Sequence, residues 1–519
     1  MTKKFFRSRY AFFGILLAIL AVRYFPFGFR YFPFSDDYNQ YGVFALFTGN
    51  LWQNVIVANA WLSFRPLAGL ADVYIISRLW GSLHWVLLAV MFLHFASIIL
   101  LDKICTKSNI AWGRAACIVF ALLPPGEAVY WISASSRIVP ATFFMLLAVY
   151  AMLNFLYRRK GVWLAAALVC GVFAQGYYEQ AVPVAFVFTL GILILHRHVI
   201  KHKIIYAWPF FNVAVFGVYH GIVGRAGHMA GRSAMAEGGI PGIFRQIPLV
   251  IDNVFRGYVD NQGLTFYNTV RGGFGMTQSP PLFIITFVLA ALLALFLYFE
   301  KDDKTQYRLS VVAGIILFAS AFVIFPLLQQ RWVFVRNLYF GVFGLAILAQ
   351  VIWRALPGHN KISRVAKACL AWIVILVVAS GAVLEIRGYR DVETWDSTIV
   401  ANMIREIDRL DARNSQNIWL FGTRWNYGPV IGPHITSQVR IDWAVNGHFS
   451  VMDGRLVDSW IIPVTHGNGA NPNPQTDAIL GIDHMLNVRE LRLTDDTLYF
   501  ADTGEPFGTI YNGIFWILQ

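Results

Sequence analysis

Apolar runs of about 20 residues recur throughout the first 386 residues of this chain. Each is long enough to cross a hydrocarbon core, and a span there must satisfy its own backbone hydrogen bonds, which an α-helix does within one segment. Spans are read near 10–29, 84–101, 111–124, 138–156, 161–175, 180–196, 204–223, 281–299, 308–327, 335–353 and 367–386. That makes about eleven crossings, and at most about 13. Composition agrees: 57% of the 519 residues are hydrophobic and only 14% charged, against roughly 25% charged in soluble domains. The expectation is a polytopic α-helical membrane protein. The stretch 64–81 has helical spacing but holds Arg65, Asp72 and Arg78, so it is read as re-entrant or interfacial rather than lipid-facing. The basic N-terminus "MTKKFFRSRY" precedes the first span, and no small-residue cleavage site follows it. An uncleaved anchor is expected.

Orientation follows from the lysines, which stand at 3, 4, 103, 107, 160, 201, 203, 301, 304, 361 and 367. With eleven spans and the N-terminus inside, all of them fall on the cytoplasmic side. The positive charge of the outer side is entirely arginine. Residues 387–519 carry 10 Arg against 16 Asp and Glu, a net of −6, which leaves +19 of the overall +13 on the membrane part. That excess sits in loops facing anionic lipid and makes no case for nucleic-acid binding. The four cysteines form neither a disulfide framework nor a CxxC metal pattern.

Two outer loops, 30–83 and 224–280, are too long for simple connections. In the first, "YGVFALFTGNLWQNVIVANAWLSF" from Tyr41 to Phe64 reads as a helix lying in the interface. In the second, Ile243, Phe244, Ile247, Val250, Ile251, Val254, Phe255 and Tyr258 recur at helical spacing, with a kink expected at Pro248. Residues 387–519 read as a small α+β domain on the outer face: a helix over 393–413, a strand over 417–422, and strand, turn and strand over 491–518. The expected division is therefore 1–386 in the membrane and 387–519 outside it.

Paired acids, Asp36 and Asp37, follow the aromatic-proline stretch "RYFPFGFRYFPFS" on the outer side. Further outer-edge candidates are Arg65 in "FRPLAGLADVYIISRLWG", Glu127, Trp131 and Arg137 in "LPPGEAVYWISASSRIVPA", Tyr178 and Glu179 in "AQGYYEQAVP", and Arg331, Arg336 and Tyr339 in "LLQQRWVFVRNLYFG". Ionisable groups beside hydrocarbon are costly, so each needs a partner or a task. Plain structural tasks exist for all of them. The acids could cap a helix, Arg65 and Arg331 could anchor at the interface, Glu179 could pair with an arginine such as Arg137, and Trp131 and the YFPF pairs could belong to an aromatic belt.

The uncleaved first span, the acid pair, the long first outer loop, the E-x-x-x-W-x-x-x-x-x-R stretch, the Y-Y-E and the late R-x-x-Y together resemble the GT-C superfamily of membrane glycosyltransferases. The resemblance covers about residues 1–386 and implies a sugar taken from a polyprenyl-phosphate donor on the non-cytoplasmic face, with a glycan, lipid or protein as acceptor. It implies a bacterial inner membrane, a cytoplasmic N-terminus and a periplasmic C-terminal domain. A phosphate leaving group needs no strong acid, whereas the acceptor hydroxyl needs a base. Asp36 or Asp37 is the expected base of an inverting displacement. Arg65, Arg137, Arg331 and Arg336 are the expected donors to the leaving phosphate, and Glu127, Trp131, Tyr178, Glu179 and Tyr339 the expected cavity wall. A divalent cation is left open as a cofactor. A transporter or flippase of lipid-linked glycans, or an O-antigen polymerase or ligase using lipid diphosphates, would reuse the same arginines.

Overall fold

Helix dominates, as the apolar runs require. A computed structural model of the chain describes residues 5–46, 65–201, 203–222, 236–272, 274, 279–300, 307–328, 333–357, 360–428, 434–456 and 459–518. The interfacial helix expected over 41–64 lies outside the described residues beyond position 46. The described residues group into two units. The first takes in Met1–Tyr31, Leu51–Ala71 and Ser82–Ile386; the second takes in Phe32–Asn50, Asp72–Gly81 and Arg387–Gln519.

In the first unit, α1 (Arg9–Tyr24) starts where the Ser8 hydroxyl accepts the Ala11 amide at 3.3 Å and stops two residues before Pro26. There follow α2 (Leu83–Lys107), α3 (Arg114–Leu122), α4 (Ile132–Arg158), α5 (Gly161–Tyr177), α6 (Ala181–Leu195), α7 (Trp208–Ile222), α8 (Gly239–Arg256), α9 (Leu264–Arg271), α10 (Pro280–Tyr298), α11 (Tyr307–Ser320) and α12 (Val342–Ala355). The last, α13 (Lys361–Arg409), runs on from its apolar part over 367–386 into the second unit. Among the described residues, six helical stretches are long and apolar enough to cross a membrane: Pro66–Lys107, Ile132–Arg158, Pro280–Tyr298, Tyr307–Leu327, Val335–Ala355 and Lys361–Arg409. Their outward surfaces stay apolar, with Ile284, Ile285 and Val288 of α10 and Val312, Ile315 and Ile316 of α11 exposed. Such surface is compatible with lipid as the surrounding medium. The core gathers around α4, whose most apolar window is 72% buried against 33% for α10.

The stretch after Arg65 is helical, Pro66–Ala71 continuing through Asp72–Ile76 and Ser77–Ser82 into α2. Helix α8 passes through Pro248 without ending. It exposes Ile240, Phe244, Ile247, Ile251 and Phe255, spaced to share one face, and buries Gln246, Val250 and Val254 on another.

The second unit is built on a seven-stranded sheet in the order β2-β1-β3-β4-β5-β6-β7, where β1 is Asn417–Thr423, β2 Trp460–Thr465, β3 Ala478–Ile482, β4 Val488–Thr494, β5 Thr497–Phe500, β6 Pro506–Tyr511 and β7 Ile514–Ile517. Strands β2, β1 and β3 are parallel and the rest is an antiparallel meander. A crossover helix, α14 (Asp442–Asp453), joins β1 to β2. The period-two alternation of β1 divides two cores. Ile418 and Leu420 pack with Ile399, Val400, Met403 and Ile407 of α13 and with Val445 and Phe449 of α14. Trp419 and Phe421 pack with Val464, Leu491, Phe507 and Phe515. The region read from sequence as strand, turn and strand is two hairpins. Asp495 and Asp496 (φ 47° and 64°) turn β4 into β5, and Asn512 and Gly513 (φ 50° and 73°) turn β6 into β7. Both are two-residue turns with φ positive at each central position, the geometry that matches strand twist.

Candidate functional site

Four segments of the first unit meet through polar contacts. Arg65 precedes Pro66, which starts a helical segment without needing a backbone donor. Its guanidinium forks onto Glu179, Nε donating to Oε2 at 2.6 Å and Nη2 to Oε1 at 2.5 Å. The same guanidinium lies 4.2 Å from the centre of the Tyr178 ring. The Tyr178 hydroxyl accepts from Asn337 Nδ2 at 2.8 Å, and that amide also reaches Gln180 Oε1 at 3.2 Å. Gln180 in turn donates to the carbonyls of Ala321 and Asn337, at 2.7 and 2.9 Å. Next to Asn337, Arg336 Nη1 donates to Glu127 Oε1 at 2.7 Å, its backbone amide to Oε2 at 3.2 Å, and its guanidinium lies 5.4 Å from the Trp131 ring and 4.4 Å from Phe334.

Six of the expected residues, Arg65, Glu127, Trp131, Tyr178, Glu179 and Arg336, therefore belong to one connected set. Both ion pairs are partly open: the side chains of Arg65 and Glu179 are 14% and 20% exposed, and those of Arg336 and Glu127 are 23% and 9%. A guanidinium held in a fork by a carboxylate presents its remaining edge in a fixed plane. Glu179 pairs with an arginine, as expected, and Arg65 is one; Arg137 is buried in the second turn of α4. Tyr339 departs from the expected cavity wall. It is fully buried, its hydroxyl 2.8 Å from His94 Nδ1, because it packs among α2 and α3 rather than beside Arg336. Arg331 lies outside the described residues.

Sequence reading missed Asn337 and Gln180, whose uncharged amides look like any loop residues. It also missed Glu385, which accepts the Gly126 amide at 2.9 Å and leaves no room for a side chain there, since a Cβ at 126 would come within 2.6 Å of its carboxyl carbon. A lone acid ending the last apolar run was the available signal.

The paired acids lie in the second unit and do different jobs. Asp37 is fully buried and reaches back, Oδ2 accepting the Phe34 amide at 2.9 Å while its own amide donates to the Phe34 carbonyl at 3.0 Å. That is the back-reaching half of a capping box. Ser35, at φ 50°, sets the bend between them. Asp36 is half-buried, and its Oδ1 accepts the Trp443 indole N–H at 3.2 Å.

Beside them lies a cavity of about 10 Å³, lined by Ser35, Tyr38, Glu393, Asp396 and His448 among others, room for one water and no sugar. Tyr38 stacks on the His448 ring at 3.7 Å. Ser397 bridges Glu393 Oε1 at 2.9 Å and His448 Nε2 at 3.1 Å. Burial pushes His448 down to about 3. It pushes the Asp396 carboxyl up to about 7, with Glu393 adding to the rise, despite hydrogen bonds from Ser437 Oγ at 2.6 Å and the Gln438 amide at 2.7 Å. Among the described residues, no three His, Cys, Asp or Glu side chains are grouped as a metal site requires.

No protein-family model matches this chain, and comparison with curated proteins and with solved structures gives no match either.

Proposed function

We propose that this chain is a membrane glycosyltransferase that moves a sugar from a polyprenyl phosphate to an acceptor hydroxyl. The observation that carries the reading is the convergence of Arg65, Tyr178, Glu179, Asn337, Arg336, Glu127 and Trp131, from four separate segments, in a unit otherwise made of apolar helices. Phosphate, like carboxylate, is held by guanidinium forks, so Glu179 keeps Arg65 in plane and Glu127 anchors Arg336 until a lipid phosphate takes its share of both. The bond from the sugar's anomeric carbon to the phosphate oxygen breaks, the electron pair leaves with the phosphate, and the acceptor oxygen attacks from the opposite side. Its proton goes to a carboxylate. Of the paired acids expected as that base, Asp36 is the half-buried one, whereas Asp37 is buried and committed to the Phe34 amide. The lysine distribution supports an assignment of this chemistry to the non-cytoplasmic side of about eleven crossings.

The test is transfer from a radiolabelled polyprenyl-phosphate sugar by the full chain in membranes. Arg336→Gln should lower turnover by roughly 10²–10³-fold, the loss of one donor to a developing oxyanion, and Asp36→Asn should abolish it while Asp37→Asn acts through stability. Turnover at the wild-type rate in both Arg336→Gln and Asp36→Asn would overturn the reading. Lipid movement without a new glycosidic bond would identify a transporter instead.

A further inference from the structure

Two tryptophans of the second unit stand largely outside its packed cores. Trp425, two residues past β1, is 60% exposed, and Trp443, in the first turn of α14, is 49% exposed. Both are nevertheless held in place. The Arg440 guanidinium lies 3.4 Å from the centre of the Trp425 ring, the Trp425 carbonyl accepts the Ser437 amide at 2.8 Å, and the Trp443 indole donates to Asp36. Exposed aromatic rings with fixed orientation offer a large contact area at low cost in conformational entropy. Arg440 has donor capacity to spare. Its Nε is buried without a hydrogen-bond partner, Nη2 reaches only Thr436 Oγ1 at 3.4 Å, and the nearby Asp396 carboxyl is engaged by Ser437 Oγ and the Gln438 amide. A buried unpartnered donor is costly.

Topology places Trp425, and Arg440 against it, where parallel sheets bind ligands. Strand β1 lies between β2 and β3, both parallel to it, and the chain leaves β1 through α14 toward β2 and later reaches β3 on the other side. The carboxyl end of such a strand is the crevice in which doubly wound sheets hold their ligands.

We propose that Trp425, Trp443, Arg440 and Asp36 form a glycan-binding site on the C-terminal domain, with preference for a sugar bearing an acidic group. The apolar C–H faces of pyranose rings lie on the two indoles, the guanidinium takes the acidic substituent, and Asp36 accepts from a hydroxyl. The inference that the glycan is the acceptor rests on the function proposed above.

The test uses the full chain in detergent, titrated calorimetrically with a galacturonic acid hexamer and a neutral glucose hexamer. The acidic hexamer should bind more tightly. Trp425→Ala should weaken both by roughly tenfold, the size of one good aromatic contact, and Trp425→Phe should restore most of the loss. Arg440→Gln should weaken the acidic hexamer alone by a similar factor. Failure of both hexamers to bind at millimolar concentration overturns the site, as does unchanged binding in Trp425→Ala. Equal loss of both hexamers in Arg440→Gln overturns the acidic preference. Binding with no transfer from any lipid-linked sugar would leave this site standing and sink the glycosyltransferase. Transfer with a wild-type acceptor KM in Trp425→Ala would do the reverse.

Discussion

Residues that look alike in the sequence part company through burial. Asp36 and Asp37 are neighbours, yet Asp37 is fully buried against the Phe34 amide and Asp36 stays half-buried beside Trp443. Adjacent side chains point in different directions, but which one turns inward depends on residues roughly 400 positions away that no local pattern reveals. The same holds for Arg336 and Tyr339, three residues apart and turned to different neighbours. His448 and Asp396, ordinary in the sequence, carry opposite pH dependences. Burial favours neutral His448, so its contribution to stability is complete above the unfolded value near 6.5 and is lost as pH falls toward about 3. Burial also favours protonated Asp396, so its contribution is complete below the unfolded value near 3.8 and is lost as pH rises toward about 7. Each swing is worth roughly 4–5 kcal/mol, and between about pH 4 and 6.5 they oppose each other. Asp396 faces Glu393 and Arg440 as well, and Asp396→Asn removes the falling limb. The variant should gain stability as pH rises from 4 to 6.5, whereas His448→Gln should lose it over the same range. Thermal unfolding followed by tryptophan fluorescence measures both slopes, and equal slopes in the two variants would refute the assignment.

Elements were legible wherever local chemistry alone decides them. The apolar runs are helices because a period of 3.6 and about 20 residues leave few alternatives, and β1 appears where "NIWLFG" was read as a strand. Asp495-Asp496 reads as turn and surface acids and does turn β4 into β5, but the four strands were read as two, although Asn512-Gly513 is a strong two-residue turn signal. The edge of the sheet shows a device that sequence cannot. Strand β2 is the outermost parallel strand, and an open edge invites pairing with another chain. Asn446 of α14 closes it as a strand would, its Oδ1 accepting the Ile461 amide at 3.0 Å and its Nδ2 donating to the Ile461 carbonyl at 2.9 Å. Asn446→Leu leaves both groups unpaired and buried, at about 1–3 kcal/mol each. Its melting temperature should fall and its tendency to aggregate rise. A variant as stable and as monodisperse as wild type would show that the clamp does not matter.

At the scale of the molecule, the lysine partition makes one checkable statement. With Cys369 replaced by Ser, a cysteine at the exposed Thr503 should react with a membrane-impermeant maleimide in intact cells. Reaction only after permeabilisation would place the C-terminal domain on the cytoplasmic side and overturn the orientation. The division at residue 386 was visible as a change from apolar runs to mixed composition. The recruitment of Phe32–Asn50 and Asp72–Gly81 into the second unit was not, since nothing in those segments names a distant partner. That recruitment sets a timetable for biosynthesis. Tyr38 leaves the ribosome long before His448, on which it stacks, and Phe34 long before Tyr389. With roughly 400 residues between them and synthesis at about 5–20 residues per second, the early segment waits some 20–80 s for its partners. Through that interval its aromatic side chains depend on lipid or a chaperone for cover, so the second unit completes itself only after β7 has been made.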